Sequence, residues 1–184
     1  MGLRKKRGPG AASREDTDME RMTREEIQKK LTALAKEQGF DHTAFLPVKD
    51  LVFVEEYRKY CEDNLCGNYG KLKNCPPICG TPAQMKERAC RYETAFIMQT
   101  ICEVDVYDEK ATKALKHRHN QMTQAVTAAI EAQGVEGLTM SAGPTRDSAC
   151  MSAYCVDAAK MAEACGMEYW LGDKKAAFFS QFLF

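Results

Sequence analysis

The segment "CEDNLCGNYGKLKNCPPICG", Cys61 to Gly80, constrains this chain more than any other, because four cysteines fall within it among residues that build turns. Gly67, Gly70 and Gly80, with Asn68, Asn74, Pro76 and Pro77, favour tight reversals over packed elements. A buried structural cysteine usually stands among Val, Leu and Ala, whereas the apolar neighbours here are Leu65, Tyr69, Leu72 and Ile78. The thiols read poorly as small hydrophobes. They also read poorly as disulfides. The chain of 184 residues is long enough to bury a core without crosslinks, its nine cysteines are an odd number, and no export signal opens it. The expectation is a cytoplasmic protein with reduced thiols.

A metal site is the remaining reading. Cys61, Cys66, Cys75 and Cys79 follow the spacing C-x4-C-x8-C-x3-C with no histidine nearby, and four soft ligands point to zinc or to an iron–sulfur cluster. Zinc prefers short knuckles separated by more structure than the stretch between Cys66 and Cys75 supplies. A cluster asks for backbone N–H groups close to its sulfides, which the glycines allow, and Cys75–Pro76 matches the Cys-Pro step of bacterial ferredoxin sites. The spacing favours iron–sulfur, with zinc as the alternative.

Charge removes other classes. Lys plus Arg and Asp plus Glu number 26 each, which lacks the basic footprint of a dedicated nucleic-acid binder. No run of about 20 apolar residues suggests a membrane span. No phosphate-binding glycine loop and no nucleophile elbow is present.

Residues 1–22 read as a disordered tail, since Arg4 to Arg7 form a basic cluster and Glu15, Asp16, Asp18 and Glu20 follow with little apolar content. Residues 23–184 read as a single cysteine-rich domain. Thr23 and Glu26 have capping-box spacing ahead of Ile27, Leu31, Leu34 and Ala35 on one helical face, and Gly39 ends that helix. "HTAFL" predicts a strand; Phe53, Tyr57 and Cys61 predict a second helix entering the cysteine loop. Thr81, Pro82 and Gln84 open a third. A strand through "TAFIMQTICEVDVY", a long helix from near Asp108 to Gly134 and a strand at "GLTMSAG" follow. Cys150 to Cys165 predicts an Ala-rich helix, on which Cys155 packs inward with Ala159 and Ala162 and Cys150 stays near the start, free to join the loop. "MEYWL" and "AAFFSQFLF" predict a terminal strand pair. The sum is an α/β (α+β) sandwich, a mixed sheet covered by helices, for which a ferredoxin-like topology is one solution. His117 and His119 are two apart on a helix and point away from each other, and Cys90 and Cys102 read as core packing.

"YRKYCEDNLCGNYGKLKNCPP", then "YETAFIMQT", "KHRHNQM", "LTMSAG" and "CMSAYCVDAAKMAEACGM" together resemble a bacterial and archaeal family of predicted metal-binding proteins, a domain of unknown function. The resemblance runs from about Gln38 to Phe184. Its most specific element, C-x4-C-G-N-Y-G-x4-C-P-P, implies metal ligation by Cys61, Cys66 and Cys75, while Cys79 is not a usual position of that pattern and is either a fourth, added ligand or a bystander. Members usually carry a second, ferredoxin-like cysteine set after the "SAG" strand. Here "SAGPTRDSACMSAYC" passes directly to the next segment, so one centre per chain is implied. The functional expectation is a metal-binding, iron–sulfur protein acting as a redox or electron carrier with a redox partner. A metal-dependent enzyme with an open iron as Lewis acid, or a zinc-stabilised interaction module, are the other classes considered.

Overall fold

A computed structural model describes residues 22–184. The expected tail over residues 1–22 lies outside the described residues except for Met22, which packs against the core.

Helix α1, Arg24–Gln38, starts where the capping box was expected: Glu26 N–H donates to Thr23 Oγ1 at 3.3 Å and Thr23 N–H donates to Glu26 Oε2 at 2.8 Å. Gly39, at φ 89°, closes it in the left-handed region. Strand β1, His42–Pro47, follows, and then a short helix α2, Arg58–Glu62, preceded by a 3-10 turn at Glu55–Tyr57. The expected second helix is thus shorter than its periodicity suggests, because Phe53 forms a β-bridge with Val156 instead. After the cysteine loop come α3, Pro82–Ala89, β2, Thr94–Glu103, and α4, Glu109–Glu131, capped by Asp108. Strand β3, Leu138–Ser141, a two-residue strand β4, Ala149–Cys150, helix α5, Ala158–Ala164, and β5, Lys175–Leu183, complete the chain.

The sheet is five-stranded and mixed, in the order β1-β2-β5-β3-β4. Strand β5 runs antiparallel to both β2 and β3, so β2–α4–β3 is a split β–α–β unit with β5 inserted. Side chains alternate between two cores, as a pleated strand requires. Phe96, Met98 and Phe182 pack with Leu31 and Ala35 of α1 and Val126 and Ile130 of α4. Ala95, Ile97 and Leu183 face Met85, Met140, Tyr154 and Met161. The fold is α+β, a helix-covered mixed sheet.

Two expectations fail. Cys150 to Cys165 is not one helix: Val54 N–H donates to Cys155 O at 2.8 Å and Asp157 N–H to Val52 O at 2.8 Å, so backbone groups of this segment pair with a distant strand-like stretch. "MEYWL" is not a strand, and β5 instead inserts between β2 and β3. Among the described residues, no helix is long and apolar enough to cross a membrane.

Candidate metal centre

The cysteine loop is a chain of turns, each met by a residue suited to it. Asn64 adopts φ 52°, which asparagine tolerates, and its side-chain oxygen accepts from Tyr69 N–H at 3.0 Å. Gly67 N–H donates to Asn64 O at 2.9 Å, and Gly70 N–H to Pro76 O at 2.8 Å. Cys75 N–H donates to Leu72 O at 2.9 Å and Cys79 N–H to Cys75 O at 3.0 Å. Cys61 lies at the end of α2, half-buried, with Cys66 exposed and Cys75 and Cys79 buried.

A second segment meets this loop. Asn74 Nδ2 donates to Arg146 O at 2.9 Å and to Thr145 O at 3.3 Å, joining the loop to the β3–β4 connection. Cys150 is paired with Ser141 across the parallel β3–β4 ladder, and this edge carries its thiol to the loop. Burial raises the Cys61 thiol, and the charge of Cys150 adds to that, together pushing it up to about 12. The same two causes, burial first and Cys150 second, push Cys75 up to about 11. Cys66 acts on Cys61, Cys75 and Cys150 alike. Cys79 acts on Cys75 and Cys155 on Cys61 as well, so six thiols stand within electrostatic reach around this loop. Cys150 was expected on a helix, but it reaches the loop from a strand.

Cys79 stands at the edge of this group. Burial raises its thiol first, while Arg58 and Arg88 lower it; Cys155 acts on it, and it acts in turn on Cys75. Cys155 is buried in a turn at φ 58°, its sulfur 3.9 Å from Glu55 O, and not on a helix with Ala159 and Ala162. Arg58 is the residue that sequence reasoning missed. It is 8 % exposed, donates from Nη1 to Gly80 O at 2.8 Å and from Nη2 to Ala153 O at 2.9 Å, and its Nε has no partner. Among the described residues it makes no ion pair with a carboxylate. A buried cation is costly without an anion, and the groups within its reach that become anionic when a metal displaces their protons are the thiols of Cys61, Cys79 and Cys155. The available signal was its position one helical turn before Cys61.

The remaining candidates stand apart. Cys90 is exposed at the end of α3 and Cys102 is half-buried, so neither is the core residue expected. His117 is exposed, whereas His119 is fully buried between hydroxyl groups, away from the loop. Among the described residues no group of three or more His, Cys, Asp or Glu side chains stands ready to hold a metal ion. The donor chemistry around the loop nevertheless fits a soft centre: a group of thiols with no imidazole among them, and a guanidinium beside them that pairs with no carboxylate.

No curated protein matches the chain, and no solved structure matches it. Residues 44–146, more than half of the chain and the whole of the cysteine loop, match the family described as predicted metal-binding protein (DUF2284). The chain belongs to this family of predicted metal-binding proteins.

Proposed function

We propose that the chain holds one iron–sulfur cluster through Cys61, Cys66, Cys75 and Cys150, and serves as a redox carrier in the reducing cytoplasm. What supports this reading is that Cys61, Cys66 and Cys75 lie in one turn-built loop, which Asn74 joins to the β3–β4 connection that leads into Cys150. A bound cluster supplies one-electron transfer. The chain's own residues do the rest. Asn74 fixes the loop to the β3–β4 connection, and Arg58 offsets the negative charge of four thiolates from within the protein. Leu65 and Tyr60, 90 % and 63 % exposed beside Cys66 and Cys61, line the surface at which a redox partner would approach.

Cys79 is then a neighbour and not a ligand. With four thiolates from the protein no iron position is left open, which weakens the Lewis-acid enzyme reading; an all-thiol set suits zinc as well as a cluster, and it is the turn-rich loop, with backbone N–H groups close at its glycines, that favours the cluster. The test is metal and acid-labile sulfide analysis of anaerobically purified protein. Ser variants of Cys61, Cys66, Cys75 and Cys150 should each lose the cluster and its visible absorbance, while Cys79→Ser keeps both. Zinc without sulfide in the wild type, or full iron in Cys150→Ser, would overturn the assignment.

A further inference from the structure

Between α4, β3 and the cysteine loop lies a cavity of about 510 Å³, large enough for a small metabolite. The α4 and β3 walls present Thr123, Thr127, Thr139 and Ser141. Several of these hydroxyls are already fixed: Thr123 Oγ1 meets Ser180 Oγ at 2.6 Å, and Ser141 Oγ donates to Gly143 O at 2.7 Å. With their protons given to backbone carbonyls, Thr123, Thr127 and Ser141 offer fixed acceptors only, which suits a body whose own hydroxyls donate.

The opposite end carries charge. Arg88 and Lys73 line the cavity, and among the described residues neither makes an ion pair. Arg88 meets two weak acceptors, Met85 Sδ and Cys79 O, each at 3.3 Å. Its charge acts on the Tyr154 phenol and the Cys79 thiol, both of which also line the cavity. Two carboxylates also line the cavity, Asp147, which accepts from Gln124 Nε2 at 3.3 Å, and Glu131, and among the described residues neither pairs with Arg88 or Lys73. A guanidinium fork facing a cavity with a phenol beside it and no carboxylate on it suits an incoming oxyanion.

We propose that this cavity binds a small hydroxylated molecule bearing one oxyanion, carboxylate or phosphate, with the oxyanion on Arg88 and Tyr154 and the hydroxylated body along the Thr and Ser wall. The site goes beyond the metal centre: its ligand does not need the cluster, and its readout does not depend on metal content. Because Cys79 borders both, a ligand here lies beside the cysteine loop.

The test is isothermal titration calorimetry on the full chain with gluconate and glucose 6-phosphate, and with sorbitol and glucose as uncharged counterparts. At least one anionic probe should bind saturably at millimolar concentration, with its uncharged counterpart at least about tenfold weaker. Which anion binds tells carboxylate from phosphate. Arg88→Gln should weaken that binding by about ten- to a hundredfold, the loss of a charge-assisted hydrogen bond, with metal content and melting temperature unchanged. Arg88→Lys, which keeps the charge and loses the fork, should weaken it less. No saturable binding of either anion at millimolar concentration, equal binding of the uncharged probes, or full affinity in Arg88→Gln would overturn the proposal.

Discussion

Acidification tests the buried histidine of the helix-side core. His119 is 1 % exposed, with the Phe40 ring 5.3 Å away edge-on. Its Nδ1 lies 2.7 Å from Thr100 Oγ1 and its Nε2 3.0 Å from Ser180 Oγ. Thr123 donates its hydroxyl to His119 O, so it accepts from Ser180, which in turn accepts from Nε2–H and leaves Nδ1 to accept from Thr100. A neutral imidazole satisfies every partner, and a second proton on Nδ1 would meet a hydroxyl already donating to it. Burial pushes the imidazole from its ordinary 6.5 down to about 4. The unfolded chain therefore binds a proton that the folded chain refuses, so this stability is complete above the ordinary value and is lost as pH falls through about 4. A gap of about 2.5 pKa units corresponds to about 3 kcal/mol in full, of which about 2 kcal/mol is lost between about pH 7 and about pH 5. Urea unfolding of wild type and His119→Asn across that range isolates the contribution, because thiol and carboxylate titrations are shared by both. The wild type should lose about 2 kcal/mol more than the variant. Parallel curves, or an imidazole NMR titration with its midpoint at the ordinary value, would refute the reasoning.

Other substitutions give direct readings. Gly137→Ala would place a Cβ 2.0 Å from Phe182 Cζ and 2.7 Å from Leu183 O, so it should cost about 1–3 kcal/mol by urea unfolding, through overpacking against a fully buried ring. Arg58→Met leaves the carbonyls of Gly80 and Ala153 without their donors and should cost about 1–3 kcal/mol. With the cluster loaded, the same change should lower the midpoint potential in an equilibrium redox titration, since the cationic offset is gone; an unchanged potential would count against that role. Thr81→Ala removes the capping box of α3, in which Gln84 N–H donates to Thr81 Oγ1 at 3.3 Å, and should cost about 1 kcal/mol in thermal unfolding.

How far the sequence could be read depended on where each hydrogen bond goes. α1, α3 and α4 were legible because their caps, Thr23, Thr81 and Asp108, and their buried stripes are local signals that tertiary contacts only reinforce. The stretch after Ser148 misled because its alanines favour a helix while its neighbours do not. Met151 to Asp157 is buried apart from Ser152, and its backbone pairs with Val52 and Val54, so helix propensity gives way until Asp157 caps α5 through Lys160 N–H at 3.0 Å. The insertion of β5 between β2 and β3 has no signature in the alternation of its own residues, since a strand buried on both faces reads as a continuous apolar run wherever it lies.

The proposed metal centre shows the same division. Cys61, Cys66 and Cys75 stood out because turn residues enclose them within one short loop, and a turn is encoded next to the residue it positions. Cys150 was legible only as a thiol free to join the loop, because its place follows from a two-residue parallel ladder to Ser141 and from Asn74 reaching across to Thr145 and Arg146. That distance along the chain has a physical consequence. A ligand set confined to residues 61–79 would stabilise one loop, but a set that includes Cys150 ties α2 and the loop to the edge of the sheet, where β4 alone is too short to hold itself. The same edge supplies Ser141 and Ala149 to the cavity wall, so the segment that would complete the metal centre also forms the boundary of the proposed anion site. Arg58 and Arg88 meet at this boundary: Arg58 Nη1 donates to Gly80 O at 2.8 Å and Arg88 Nη2 to Cys79 O at 3.3 Å, so on the proposed assignment Cys79 borders both the centre and the cavity.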